Sequence, residues 1–193
     1  MFTIAIAVVA FLLGSFPTGV IVARRRGIDL RSVGSGNVGA TNVGRALGRR
    51  YAVLVMLIDA AKGAIAVVGT TRLFPEEPWP VAIAGIAAVL GHIFSIFLRG
   101  RGGKGVATAL GAALGISPLA ALGAFLCYLA IYLPFRLSSV GSMVGALAFP
   151  VLLVMVGQGH PANLTFAVAS TTLIIVRHRE NIRRLRHGNE LKG

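Results

Sequence analysis

The chain has 193 residues, of which 55% are hydrophobic, and its mean hydropathy is +0.81. Its 19 Lys and Arg residues against 6 Asp and Glu give a net charge of +13, but these charges cluster at the ends of apolar runs with few aromatic residues among them. This pattern argues against nucleic acid as a partner and is typical of a bilayer border. The single cysteine, Cys127, excludes a disulfide within the chain and a cysteine-based metal site. We expect one integral membrane domain, residues 1–193, with the lipid bilayer around it.

Six apolar segments are near the length that a bilayer requires. They are residues 2–23, 51–71, 81–98, 119–135, 140–156 and 161–176. The first lacks a basic start and a small-residue cleavage site, and three arginines follow it, so we expect a retained signal anchor. Residues 105–116 form a shorter stretch, about 18 Å long as a helix. This stretch either crosses alone or continues into the next segment through Ser117 and Pro118.

The basic residues decide between these two topologies. With a turn at Ser117 and Pro118 there are seven spans, and nearly all Lys and Arg residues fall on one side, leaving Arg72 opposite and Lys62 within a span. Without the turn, the basic residues divide almost evenly between the two sides. The positive-inside rule therefore predicts an all-α bundle of seven transmembrane helices, with the amino terminus outside and the carboxyl terminus in the cytoplasm.

The first of three polar cytoplasmic segments contains Gly34-Ser35-Gly36-Asn37-Val38-Gly39-Ala40-Thr41-Asn42 and then Arg45. Its glycine spacing matches a dinucleotide-binding fingerprint, but no strand precedes it and no βαβ unit is possible here, so we reject that interpretation. Glycines that expose backbone N–H groups, small polar side chains and an arginine suit a phosphate or carbonyl oxygen. A polar re-entrant turn without a ligand is the alternative.

The second polar segment comprises Gly91-His92 and then residues 99–108. Its last part, Gly-Gly-Lys-Gly-Val-Ala-Thr at 102–108, opens the short apolar stretch. It is not a Walker A loop, because Leu98 and Gly105 stand where that motif needs Gly and then Ser or Thr. A glycine loop at the N-terminus of a helix nonetheless predicts an anion site, and Lys104 adds a positive charge to it.

The third polar segment begins at Arg177 and contains His178 and Asn181, which lie three residues apart and would share one face of a helix. A basic anchor for anionic lipid is the alternative interpretation. Ser142, near the start of the sixth span, is a further candidate polar contact, although small residues are common at such positions.

Three ionisable residues lie within the apolar segments. Asp59 and Lys62 can pair on one helix face, and both a structural ion pair and a role in the site are open. His92, near the end of the third span, either satisfies a neighbouring helix or belongs to the site.

Together with Gly14-Ser15-x-Pro17-x-Gly19, the three polar segments resemble, in residues and in order, the signatures of the bacterial acyl-phosphate-dependent glycerol-3-phosphate acyltransferases, the PlsY family. The resemblance covers essentially the whole chain. It implies a multi-pass protein of the bacterial inner membrane that transfers a fatty acyl group from acyl phosphate to the 1-position of glycerol 3-phosphate, giving 1-acylglycerol 3-phosphate and phosphate for phospholipid synthesis. We expect a monomer without cofactor or metal, since four scattered histidines and six acids form no recognisable ligand set.

The predicted catalytic residues are His178, Asn181, Lys104 and Ser35. The residues predicted to bind phosphate are Ser35, Gly36, Asn37, Thr41, Asn42, Arg45, Gly102, Gly103, Lys104, Gly105, Thr108 and Ser142. His178 and Asn181 would orient the glycerol hydroxyl, and either His178 or a substrate phosphate would accept its proton. Ser35 as a nucleophile would need an adjacent base, which its segment lacks.

Two other classes of protein are alternatives. A transporter of an organic phosphate would share the basic, glycine-rich sites, but it should show charges near mid-membrane and an internal repeat, whereas the polar motifs here crowd one face. A structural protein that binds anionic lipid would need the basic tail but not the Gly-Gly-Lys-Gly loop.

Overall fold

The computed structural model describes residues 2–192, and within that range the regular secondary structure is α-helical apart from one 3-10 turn at Ile96–Leu98. The helices, in chain order, are α1 (Phe2–Ser15), α2 (Thr18–Arg24), α3 (Ala40–Leu47), α4 (Arg49–Leu73), α5 (Pro78–Ile93), α6 (Val106–Ile116), α7 (Pro118–Phe135), α8 (Ser138–Met155), α9 (Pro161–Arg177) and α10 (Arg179–Arg186). The predicted all-α class is confirmed for the described residues.

Five helical segments in this range are long and apolar enough to cross a membrane. They are Phe2–Arg24, Arg49–Leu73, Pro78–Leu98, Pro118–Phe135 and Ser138–Met155. Two further helices, α6 and α9, are apolar but shorter. The multi-span character predicted from composition is therefore present, whereas the count of seven crossings and the side of each terminus stay predictions.

The helical path of the chain breaks at Ser117, between α6 and α7. Ser117 is extended, and Pro118 occupies the first position of α7, where its missing N–H leaves no helical hydrogen bond unmade. Ala109 and Ala113 of α6 line the same cavity as Ala124 of α7, and the two helices are in contact. The break lies at the position where the charge distribution predicts a turn.

Small residues bring pairs of helices to backbone distance. A methyl group added at Gly14 of α1 would lie 2.0 Å from the carbonyl oxygen of Ala88 in α5. One added at Gly111 of α6 would lie 1.8 Å from the carbonyl oxygen of Ala60 in α4. Because packing drives helix association in lipid, these contacts fix the α1–α5 and α4–α6 pairs. The α7–α8 pair is joined to them through α9, which packs on both α5 and α8.

A buried ion pair closes the break in the first apolar segment. Pro17 lies between α1 and α2, and the carbonyl groups at the end of α1 lack helical partners there. The Nζ of Lys62 donates to the carbonyl oxygen of Phe16 at 2.8 Å and lies 2.6 Å from Oδ1 of Asp59. The predicted Asp59–Lys62 pair therefore forms, and Lys62 holds the break between the two helices.

Candidate active site

A cavity of about 200 Å³ opens among α3, α6, α7, α8 and α9. One end is polar and basic, and the rest is lined mainly by alanine, glycine and aromatic residues. The polar residues at the basic end, called the mouth below, are Ser35, Asn37, Thr41, Asn42, Arg45, Lys104, Ser138, Ser139, Ser142, His178, Asn181 and Glu190. The three polar segments that the sequence singles out therefore meet in one place.

Asn42 holds the loop between α2 and α3 in shape. Its Nδ2 donates to the carbonyl oxygens of Leu30, Val33 and Asn37 at 2.9–3.1 Å. Its Oδ1 accepts a hydrogen bond from the backbone N–H of Ser35 at 3.0 Å. Because the loop occupies both ends of this amide, we propose that Asn42 positions Ser35 rather than contacting phosphate itself.

One contact between hydroxyl groups joins α3 to α8, and two further polar side chains bond within their own segments. The Oγ1 of Thr41 lies 3.1 Å from Oγ of Ser138, and Ser142 donates to the carbonyl oxygen of Ser138 at 2.7 Å. Asn37 accepts from the N–H of Gly39 at 2.9 Å. Thr41, Ser142 and Asn37 all line the cavity, as expected for residues that could meet a polar ligand.

The backbone of the two glycines before α6 bonds to the end of α5. The N–H groups of Gly102 and Gly103 donate to the carbonyl oxygens of Ile93 and His92, both at 3.0 Å. They complete the end of α5, so neither N–H is free for an anion, and neither residue lines the cavity. A methyl group added at Gly103 would lie 2.2 Å from Nε2 of His92, which explains glycine there by close packing.

The N-terminus of α6 itself lines the cavity. Gly105, Val106 and Ala107 contribute to the wall, and Gly105 has a φ of 84°, in the left-handed region that favours glycine. The first N–H groups of a helix and its dipole favour an anion at this end. The predicted anion-binding helix terminus is therefore in contact with the cavity, one turn later in the sequence than the paired glycines.

Two further predicted phosphate contacts, Gly36 and Thr108, lie away from the cavity. Gly36 has a φ of 67° and donates its N–H to the carbonyl oxygen of Val33 at 3.0 Å, so it forms a turn. Thr108 is fully buried, and its backbone packs against Gly63 of α4. Both residues shape the structure around the cavity and do not reach its interior.

Lys104 bridges the second and third polar segments. Its Nζ donates to Oδ1 of Asn181 at 2.5 Å. Burial, together with the nearby cations Arg184 and Arg45 and against the opposing effect of Glu190, lowers the pKa of Lys104 to about 8. A poorly hydrated ammonium group attracts an anion strongly, because little water screens the two charges.

His178 is buried where α9 ends, with 2% of its surface exposed. Its Nδ1 lies 2.8 Å from the carbonyl oxygen of Ile174, and since a carbonyl only accepts, Nδ1 carries the proton and Nε2 is left with a lone pair. Burial, reinforced by the charge of Lys104, lowers the pKa of His178 to about 4. The ring is therefore neutral near pH 7, which is the form that accepts a proton.

Glu190 belongs to the mouth, although the sequence analysis did not select it. Its carboxylate accepts hydrogen bonds from Oγ of Ser139 at 2.8 Å, Nδ2 of Asn181 at 2.6 Å and Nε of Arg184 at 2.9 Å. Burial alone would raise the pKa of Glu190, but these hydrogen bonds outweigh it and hold the pKa below its ordinary value. The one signal available in the sequence is an acid within a basic tail.

Arg45 ties the first polar segment to the end of the described chain. Its Nε and Nη2 donate to the carbonyl oxygens of Lys192 and Leu191 at 3.0 and 2.9 Å. The tail therefore returns to the mouth, and its Glu190 side chain is only 4% exposed. Arg45 also lines the cavity, so the guanidinium is shared between the tail and the space in which a ligand would lie.

Asp59 and His92 form part of the inner wall. The Nδ1 of His92 lies 3.9 Å from Oδ1 of Asp59, and both residues line the cavity. Within the Asp59–Lys62 pair, Lys62 therefore bonds at the helix break, and Asp59 lines the cavity. From the sequence both a structural role and a role in the site are open for Asp59 and His92, and each residue has contacts of both kinds.

The family model for glycerol-3-phosphate acyltransferases matches residues 4–188 of this chain. Among the relatives named glycerol-3-phosphate acyltransferase, the one from Geobacter sulfurreducens is 47% identical over 182 residues, which are 94% of this chain and 93% of that protein. The one from Thermus thermophilus is 48% identical over 181 residues, 94% of this chain and 90% of that protein.

Solved structures agree with the sequence relatives. The crystal structure of PlsY (YgiH), an integral membrane glycerol 3-phosphate acyltransferase, in its glycerol 3-phosphate form superposes with a TM-score of 0.95 at 42% identity, covering all of this chain and 96% of that one. The lysophosphatidic acid form gives a TM-score of 0.93 at 41% identity, covering all of this chain and 95% of that one. This chain belongs to the glycerol-3-phosphate acyltransferase family.

Proposed function

We propose that this chain transfers a fatty acyl group from acyl phosphate to the 1-hydroxyl of glycerol 3-phosphate, giving 1-acylglycerol 3-phosphate and inorganic phosphate. The observation that carries the proposal is the continuity of one cavity, which is basic and polar at its mouth and apolar beyond it. A water-soluble phosphate ester suits the mouth, and a lipid-like acyl donor suits the apolar part. The relatives are named as acyltransferases, so the alternative of an organic-phosphate transporter is not favoured.

The phosphate groups of the two substrates lie against Lys104, Arg45, Ser35 and the N-terminus of α6. Lys104 and Arg45 supply positive charge to the mouth, and both line the cavity. The N–H groups at residues 105–107 supply aligned dipoles of the kind that bind phosphate at helix ends. Thr41 and Ser142 add hydroxyl groups on the α3 and α8 sides.

The chemistry requires one bond to form and one to break. The oxygen of the glycerol hydroxyl forms a bond to the acyl carbonyl carbon, and the bond from that carbon to the bridging oxygen of the donor breaks, releasing phosphate. Nε2 of His178 or an oxygen of the leaving phosphate takes the hydroxyl proton. Because the donor is already activated, positioning and stabilisation of the oxyanion are sufficient, and no covalent enzyme intermediate is needed.

Asn181 orients the reacting groups in this scheme. Its Oδ1 accepts from Lys104 and its Nδ2 donates to Glu190, so the amide is held from both ends. A side chain that is itself held in place therefore fixes the position of the Lys104 ammonium group. Placement of this kind lowers the barrier of a reaction between two bound substrates, because it removes the entropy cost of bringing them together.

The topology follows from the same proposal. We place the chain in the bacterial inner membrane as one polytopic domain and a monomer, with seven crossings, the amino terminus outside and the mouth of the cavity on the cytoplasmic side. The positive-inside distribution of Lys and Arg and the helix break at Ser117 support this arrangement.

The donor is tested by supplying purified protein with glycerol 3-phosphate and either palmitoyl phosphate or palmitoyl coenzyme A. Lysophosphatidic acid should form with palmitoyl phosphate and not with the thioester. Arg45→Ala should lose activity. The matched variant Arg72→Ala should keep it, because Arg72 lies in the last turn of α4 and does not line the cavity. Equal rates with both donors would refute the assignment of acyl phosphate, and equal rates of both variants would refute the phosphate site.

A further inference from the structure

The apolar part of the cavity is a slot of defined depth. It runs from the mouth between α8 and α9, and the residues that mark its two ends are Ser138 and Phe149 on α8 and His178 and Phe166 on α9. At a rise of 1.5 Å per residue, both helices give a depth of about 17 Å. One leaflet of a bilayer has a hydrocarbon thickness of about 15 Å, so the slot matches the length of an ordinary membrane acyl chain.

The walls of the slot are made of small residues contributed by four helices. They are Ala109, Ala113, Ala124, Gly145, Ala146 and Ala167. Side chains of this size leave room for a flexible alkyl chain between helices that are otherwise closely packed. Thr171 fixes the width on one side, because its Oγ1 donates to the carbonyl oxygen of Ala146 at 2.7 Å and ties α9 to α8.

Two aromatic rings close the slot at its inner end. Phe149 and Phe166 meet edge to face, with ring centroids 6.1 Å apart and an interplanar angle of 85°. They are 6% and 1% exposed. A methyl group added at Gly85 of α5 would lie 2.9 Å from the ring of Phe166, so this ring is wedged against α5 and has no room to swing aside.

From this geometry we infer that the Phe149–Phe166 pair is the floor of an acyl-chain site and sets the longest chain that the enzyme accepts. The inference rests on the proposed function, since it concerns the acyl donor of that reaction. A chain that fits reaches the two rings with its carbonyl carbon still at the mouth. A longer chain pushes the carbonyl out of position, and a shorter one leaves apolar surface unfilled.

The test is a competition among lauroyl, myristoyl, palmitoyl, stearoyl and arachidoyl phosphate at equal concentration, with glycerol 3-phosphate in excess. Mass spectrometry of the lysophosphatidic acids then gives the relative kcat/KM for each chain. Phe149→Ala should raise the ratio of the longest products to palmitoyl product about tenfold, the lower end of the discrimination that one methylene gives in an apolar pocket. Ala146→Leu, which fills the slot one turn above the floor, should shift the profile towards lauroyl and myristoyl products.

Leu147→Ala is the matched control, because Leu147 lies on the same helix but is 56% exposed on the outer face. It should keep the wild-type profile. Phe149→Leu is a milder substitution that keeps the test usable if Phe149→Ala does not fold. It should shift the chain-length profile in the same direction as Phe149→Ala, but by a smaller amount. An unchanged profile in active Phe149→Leu and Ala146→Leu proteins would overturn the inference while leaving the proposed function intact. No product from wild-type protein with any chain length would overturn the proposed function itself.

Discussion

The Nζ of Lys104 donates a hydrogen bond to Oδ1 of Asn181, with 2.5 Å between the two atoms. Asn181 in turn donates to Glu190, and Arg45 binds the carbonyl groups that follow Glu190. One continuous set of contacts therefore joins the loop before α6, helix α10, the tail and helix α3. A change at any of these side chains should disturb the mouth of the cavity.

Lys104 should control both the rate and its dependence on alkaline pH. Lys104→Ala should lower kcat/KM for glycerol 3-phosphate about a hundredfold or more, because a preorganised charge is lost. In the wild type, kcat/KM should fall as pH rises through about 8, where Lys104 loses its proton. Lys104→Arg should move this fall to higher pH. Identical pH profiles for the wild type and the arginine variant would contradict the role given to Lys104.

Stability should fall in mild acid because of His178. The unfolded chain binds a proton on this ring below the ordinary pKa of 6.5, whereas the folded protein binds it only below about 4. Protonation therefore favours unfolding, and stability that is complete above pH 6.5 is lost as pH falls from 6.5 towards 4. In detergent, the Tm of His178→Gln should fall less than that of the wild type as pH is lowered from 6.5 towards 4. The variant His187→Gln, at an exposed position, should behave as the wild type. The same dependence of Tm on pH in all three proteins would contradict a buried neutral His178.

Glu190 should stabilise the folded tail at neutral pH. Its pKa is held below the ordinary value by its three donors, so its contribution is present above the unfolded pKa and is lost as pH falls through the folded pKa. Glu190→Gln should lower Tm at pH 7, and the difference from the wild type should shrink in acid. Glu180→Gln on α10 is the control, since that carboxylate is 62% exposed. Equal effects of the two variants at pH 7 would contradict the buried arrangement.

Asn42 should affect activity through the loop and not through the substrate. Asn42→Ala removes the amide that holds Leu30, Val33, Asn37 and Ser35, so the loop loses its shape. Limited proteolysis between α2 and α3 should become faster even without substrate. Ser35→Ala should reduce kcat/KM with no change in proteolysis. If the loop of Asn42→Ala resists proteolysis as well as that of the wild type, the role of Asn42 in positioning the loop is contradicted.

Asp59→Asn should destabilise the membrane region. It leaves the ammonium group of Lys62 buried beside carbonyl oxygens without its counter-charge, and breaking a buried ion pair in this way costs about 3–5 kcal/mol. The double variant Asp59→Asn with Lys62→Met should recover part of this loss. A Tm of Asp59→Asn equal to that of the wild type would show that the pair contributes nothing to the fold.

The helices and the break at Ser117 could be predicted from local patterns. Apolar run length, the loop distribution of Lys and Arg, and Pro118 at a helix start are short-range signals. The polar residue types predicted for the site, above all Lys104, His178 and Asn181, also lie together, because charge is tolerated only where helices end or a cavity opens.

The detailed contacts of the mouth could not be predicted in this way. Gly102 and Gly103 have the composition of an anion loop, but their N–H groups bond to the end of α5, a partner fixed by tertiary packing. Glu190 lies in the mouth because Ser139 of α8 and Asn181 of α10 bind its carboxylate and Arg45 of α3 binds the tail beside it. Spacing along the sequence carries no information about such long-range pairs.

The most direct measurement is the initial rate of lysophosphatidic acid formation from palmitoyl phosphate and glycerol 3-phosphate by the purified protein, with released phosphate counted in the same sample. We predict one phosphate for each lysophosphatidic acid, no release above the spontaneous rate without glycerol 3-phosphate, and loss of both signals in Lys104→Ala. Phosphate release without acylated product, or no product from folded protein, would contradict direct acyl transfer at this site.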